Sequence, residues 1–250
     1  MLPIRDHNPS GRTPFVVYAL MAANIAIFFS YMGLPEQQVL HDVFLNWALI
    51  PARLSQGSGI ETLLTSTFLH GGLLHLGGNM LFLWIFGDNL EDEMGHLGFL
   101  LFYLACGLGA GLIHYLAAPY SPVPTVGASG AIAGVMGAYL LLFPKARVDI
   151  LIILVIFFRI VAIPAWLMLG LWLAFQFLGG LGADPNGGGV AYWAHAGGFV
   201  VGFALTVPLW LRRGGPGYWR RSHGQPPHPE ARYRLSPSHI PKVPRKGQRR

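Results

Sequence analysis

The chain has 250 residues, 53% of them hydrophobic and only 11% charged, with a formal net charge of +6. Soluble domains carry about 25% charged residues, so this balance excludes an ordinary water-soluble globule and points to a membrane protein. The pI near 9.7 comes mostly from the C-terminal tail and is not read as nucleic-acid binding.

Six apolar blocks approach the ~20 residues that cross a bilayer core. In chain order they cover residues 15–32, 73–86, 97–118, 129–143, 161–178 and 190–211. Two arginines precede the first, yet it is long for a signal-peptide core and no small-x-small cleavage site follows, so a retained first helix is expected. A further apolar run, 150–158, is shorter than a span and is read as interfacial. The first loop, 34–62, holds Phe44, Leu45, Trp47 and Leu49 and is also expected at the interface. Residues 179–189 are glycine-rich and are expected to form a mobile lid. Trp166, Trp172, Phe175 and Phe177 make the fifth block bulky, suited to facing lipid or to gating a substrate.

Charge sets the orientation. Arg5 and Arg12 precede the first block, Lys145 and Arg147 follow the fourth, and Arg212, Arg213, Arg220 and Arg221 follow the sixth; only Arg53 lies in a loop assigned to the outside. By the positive-inside rule both termini are cytoplasmic. The expected organisation is a cytoplasmic segment 1–14, a six-helix all-α membrane domain 15–213, and a disordered basic cytoplasmic tail 214–250, whose Pro, Gly, Ser and Arg cannot bury a core. The single cysteine, Cys106, falls inside the third block and reads as a small buried hydrophobe.

Polar side chains inside these blocks are costly and need a reason. Ser129 lies in Gly127-Ala128-Ser129-Gly130 at the start of the fourth block, and His195 lies near the start of the sixth. A serine beside a histidine base is a nucleophile pair. Gly127 and Gly130 permit close backbone approach, and an amino-terminal helical position supplies free N–H groups to a developing oxyanion. Gly130 and Gly134 on one block, and Ala194, Gly198 and Gly202 on the other, are spaced four apart and make faces that can pack closely. His75 and Asn79, also four apart, share a helix face in the second block. Either alone reads as helix-packing glue; together they aim donors at one region, as an oxyanion site requires.

Other intramembrane chemistries fit poorly. No acidic residue lies deep in a block, which argues against a zinc protease helix and against an aspartyl pair. Asp88 sits at a helix end near Glu91, Asp92 and Glu93 and is expected to have no partner. His70, His75 and His195 match no common metal spacing and lack carboxylates, so neither metal nor cofactor is expected.

These residues resemble the rhomboid intramembrane serine proteases over roughly residues 13 to 213. The resemblance rests on His70, His75 and Asn79, on Gly127-x-Ser129-Gly130, and on Ala194-His195-x-x-Gly198-x-x-x-Gly202. It implies a six-transmembrane-helix rhomboid fold with Ser129 as nucleophile, His195 as general base and no acidic third member. His75, Asn79 and the Ser129 N–H would hold the oxyanion, and His70, with Gly127 and Gly130, would support the site. It also implies a multi-pass cell-membrane enzyme that meets lipid and cuts transmembrane-anchored proteins near the outer face; the alternative is a silent rhomboid-like protein that binds membrane clients. Two positions depart from the pattern. Many relatives have an aromatic four residues after the nucleophile, where this chain has Ala133, and a Trp-Arg pair in the first loop, where it reads Glu61-Thr62.

Overall fold

The computed structural model describes residues 2–154, 157–184 and 188–225. Six helices of 14 to 22 residues form its body: α1 (Phe15–Tyr31), α2 (Leu73–Met94), α3 (His96–Ala117), α4 (Ser129–Leu142), α5 (Ala165–Gly182) and α6 (Tyr192–Arg212). Helices α3, α5 and α6 are long and apolar enough to cross a bilayer. A fourth crossing follows if Thr62–Phe68 and Leu73–Met94, bent by 96°, are taken together. Helices α1 and α4 are shorter and apolar.

At 1.5 Å per residue α4 is about 21 Å long, short of the ~30 Å bilayer core. Its composition explains how that is tolerated. Nearly every residue from Gly130 to Leu142 is buried, so α4 meets protein on all sides rather than lipid. Its small residues, Gly130, Ala131, Ala133, Gly134, Gly137 and Ala138, let the neighbouring helices close around it.

The expected all-α architecture needs a correction. Strands β1 (Leu2–Asp6), β2 (Arg147–Leu154) and β3 (Phe157–Pro164) form an antiparallel sheet in the order β1-β2-β3. The run read as interfacial is therefore mostly strand. Its Val and Ile residues favour extended backbone, and Val148 and Ile150 turn into the core. Arg5 lies opposite Asp149 in the register and donates to its carboxylate at 2.8 Å. Pro164 immediately precedes α5, so the fifth helix begins at Ala165 rather than near 161.

The segment just after 214, expected to open a disordered tail, is partly helical. Pro216–Ser222 is a short helix, α7. Tyr218 is buried, and the Trp219 indole donates to the Leu141 carbonyl at 2.9 Å, closing the end of α4. Two aromatic side chains give this stretch the apolar surface that its overall composition hides. Residues 226–250 lie outside the described residues.

A polar layer seals the end of the bundle where α2 finishes. Glu91 is buried and accepts the Val16 and Val17 N–H groups at 2.9 and 2.8 Å, capping α1 from another helix. Asp92 accepts the Gly11 N–H at 2.7 Å. Tyr139 of α4 donates to Asp6 at 2.7 Å, and Glu93 pairs with Arg213. Asp88 is not without partners as expected: it is hydrogen-bonded by Ser10 and accepts the Asn89 N–H at 2.8 Å.

Candidate active site

The site is built where α4 and α6 touch backbone to backbone. A Cβ on Gly198 would strike the Gly130 carbonyl, one on Gly202 the Gly134 backbone, and one on Gly137 the Phe199 carbonyl. Only glycine permits that approach. On its other flank Gly134 lies against Cys106, which is fully buried as a small apolar side chain. Because the two helices meet with their amino-terminal ends together, Ser129 and His195 come within reach.

His195 Nε2 lies 2.7 Å from Ser129 Oγ. Its other ring nitrogen, Nδ1, lies 2.8 Å from Oε1 of Gln176, a buried residue of α5. The Gln176 amide nitrogen donates back to the Trp172 carbonyl at 3.2 Å. Trp172, one turn earlier, sets its ring 5.8 Å from the imidazole at an interplanar angle of 33°, and lies 6.2 Å from Phe199. Neither Gln176 nor Trp172 was picked out as a site residue from sequence. Gln176 was signalled as the one non-aromatic polar side chain in α5.

Ser129 opens α4, so its N–H is among those a helix leaves without an intrahelical acceptor. Gly127 adopts φ +133, a conformation that L side chains rarely enter. A Cβ there would lie 2.8 Å from His75 Nε2 and 3.4 Å from Ser129 Oγ, so the missing side chain is what lets His75 stand over the serine. The Gly127 N–H is fixed to the Ser66 carbonyl at 2.9 Å. Asn79 is buried, and among the described residues its Nδ2 has no acceptor. His70 is fully buried edge-on to His75, with ring centroids 5.1 Å apart; Tyr31 of α1 accepts the His70 backbone N–H at 2.7 Å and donates to its backbone carbonyl at 2.9 Å. All of these predicted residues are thus gathered at one end of the bundle.

Ser129, His195, His75 and Asn79 line a single cavity of about 560 Å³, together with His114, Thr125 and Trp172. His114 and Thr125 hydrogen-bond across it at 2.9 Å. No group of three His, Cys, Asp or Glu side chains suited to a metal occurs among the described residues. What the cavity offers is a paired hydroxyl and imidazole beside several N–H donors, the elements of acyl transfer.

A family model described as the Rhomboid domain matches residues 58–212. The chain belongs to the rhomboid family. It is 31% identical over 196 residues, 75% of its length, to the mitochondrial rhomboid protein 1 of Saccharomyces cerevisiae, covering 51% of that protein. It is 33% identical over 153 residues, 61% of its length, to the rhomboid protease GluP of Bacillus subtilis, covering 27% of it. A 70-residue stretch, 28% of the chain, is 47% identical to the chloroplastic rhomboid-like protein 11 of Arabidopsis thaliana, covering 25% of it. The chain thus spans between a quarter and about half the length of these relatives. They come from bacterial, mitochondrial and chloroplast settings.

Within the rhomboid frame, the two departures have structural counterparts. Ala133 is fully buried within α4, and the aromatic beside His195 is Trp172, from α5. In the first loop, where Glu61-Thr62 replaces the expected pair, Glu61 lies 3.6 Å from Arg53, and Thr62 donates to the Gly59 carbonyl at 2.5 Å. Arg53 also donates to the Leu45 carbonyl at 2.5 Å, tying the loop to itself. The expected lid begins differently: Gly179 to Gly182 continue α5, with Gly179 against Tyr192 and Gly180 against Trp193. Residues 185–187 of that loop lie outside the described residues.

Proposed function

We propose that this rhomboid is an active serine endopeptidase that cuts transmembrane-anchored proteins within the bilayer, near its outer face. The observation that carries the reading is the 2.7 Å approach of Ser129 Oγ to His195 Nε2 in a cavity shared with Asn79. Ser129 Oγ attacks the scissile carbonyl carbon while its proton passes to His195 Nε2. The C–N bond breaks as that proton moves to the leaving amine, and water then hydrolyses the acyl-enzyme by the same route. The Ser129 N–H, His75 and the Asn79 amide serve the oxyanion, with His70, Gly127 and Gly130 supporting their placement.

In this reading all six long helices cross or enter a cell membrane, and both termini are cytoplasmic. Lys145, Arg147, Arg212 and Arg213 lie at or just beyond the carboxyl ends of α4 and α6, whereas Ser129 and His195 lie at the amino ends. The positive-inside rule then puts the site toward the outer side. The substrates are proteins whose membrane helix unwinds easily near that face, and no nucleic acid or cofactor takes part.

The test is cleavage of a model single-span substrate co-reconstituted in liposomes. The wild-type protein should cleave it and Ser129→Ala should not. Equal processing by both, or none by either, would overturn the assignment.

A further inference from the structure

The base of a serine nucleophile must present an unprotonated nitrogen to the hydroxyl, and neutral imidazole carries its proton on one nitrogen only. What fixes the tautomer of His195 is therefore a separate question from what brings it to Ser129. The answer lies in the orientation of the Gln176 amide. Its nitrogen faces the Trp172 carbonyl at 3.2 Å, and a carbonyl oxygen can only accept, so that contact requires the NH₂ end of the amide. The amide oxygen is thereby turned toward His195, 2.8 Å from Nδ1. An amide oxygen also only accepts, so Nδ1 bears the proton and Nε2 is left with its lone pair toward Ser129 Oγ, 2.7 Å away.

We infer that Gln176 is a positioning residue that completes a Ser129–His195–Gln176 relay with an uncharged third member. This assignment rests on the protease reading above. An acidic third member would do the same work by charge, but a carboxylate in this apolar helix would be expensive, and α5 carries no acidic or basic residue. The amide gives direction without that cost. Trp172 holds the ring plane and, through its carbonyl, the amide as well. Both residues come from α5, which buries few of its side chains. The histidine is thus oriented by one helix and carried by another, α6, so the base is set only while α5 is seated against α6.

The test uses the full-length protein in detergent or liposomes, with the liposomal substrate assay and ¹⁵N-histidine NMR. Gln176→Met keeps the bulk and the apolar helix while removing both hydrogen bonds. It should lower kcat on the order of tenfold to a hundredfold, part of the ~10²–10⁴-fold that a positioned base contributes, with KM and Tm close to wild type. Gln176→Glu retains an oxygen acceptor for Nδ1 and should recover most of the lost kcat. At pH 8, NMR of the wild type should find His195 protonated on Nδ1, and Gln176→Met should show a mixture of tautomers. A wild-type kcat in Gln176→Met, a loss confined to KM, no recovery with Glu, or a proton on Nε2 in the wild type would each overturn the inference. If the wild type cleaves nothing, the protease reading fails on its own, and the NMR assignment still decides the role of Gln176.

Discussion

At Asn79 a buried amide nitrogen lies in the cavity that also holds Ser129, and nothing in the described protein accepts its hydrogen bond. A buried donor left without a partner costs about 1–3 kcal/mol, a cost that makes sense if the charge it serves forms only during reaction. Asn79→Ala should therefore lower kcat by about a hundredfold or more while leaving KM nearly unchanged, measured on the liposomal substrate. The base gives a second expectation. His195 can take the Ser129 proton only when neutral, so the cleavage rate should be low in acid and rise with pH as the imidazole loses its proton. A rate that stays flat from neutral down through strongly acid pH would remove His195 from that role. Ser129, His195, His75 and Asn79 were legible in the sequence because a polar side chain in an apolar block stands out on cost alone. Gln176 carried the same signal, but its meaning depends on α5 lying against α6, which no local pattern encodes.

Among the elements, α4 and α6 hold the site, and their contact has almost no slack. Gly198→Ala drives a methyl group into the Gly130 carbonyl and Gly202→Ala drives one into the Gly134 backbone. Overpacking of this kind costs about 1–3 kcal/mol, and here it also pushes Ser129 and His195 apart. Either variant should lower the unfolding temperature in detergent and abolish cleavage. Gly170→Ala on α5 is the control, since a Cβ there meets nothing within 4 Å, and it should leave both unchanged or slightly improved. At α1, Glu91→Ala removes the carboxylate that receives Val16 and Val17 and should cost about 1–2 kcal/mol in chemical unfolding, the scale of a lost helix cap. The helix faces could be read in advance from glycines four apart. The sheet could not, because β1 finds its partner only across the folded chain, at Val148–Leu151.

The whole molecule is a bundle with the Ser129–His195 cavity at one end and a sealed polar layer at the other. At the sealed end burial, opposed by the Tyr139 hydrogen bond and reinforced by the Asp88 charge, raises the Asp6 carboxyl to about 7. The folded protein thus holds this proton more tightly than the unfolded chain, whose value is near 3.8. The stability contributed by Asp6 is complete below pH 3.8 and is lost as the pH rises through about 7. Asp6→Asn should flatten the dependence of unfolding temperature on pH across that window, and an unchanged slope would contradict the assignment. Why this end is so polar was hidden in the sequence, where Asp88 reads as a residue without a partner at a helix end near Glu91, Asp92 and Glu93. Their partners Ser10, Val16, Gly11 and Arg213 come from distant parts of the chain.

The central claim is that Ser129 is a nucleophile activated by His195. It is tested most directly by treating the reconstituted protein with a fluorophosphonate and locating the adduct by mass spectrometry. The account predicts a single adduct on Ser129 in the wild type that is lost in His195→Ala. An adduct on another residue, or undiminished labelling of Ser129 without the histidine, would contradict it.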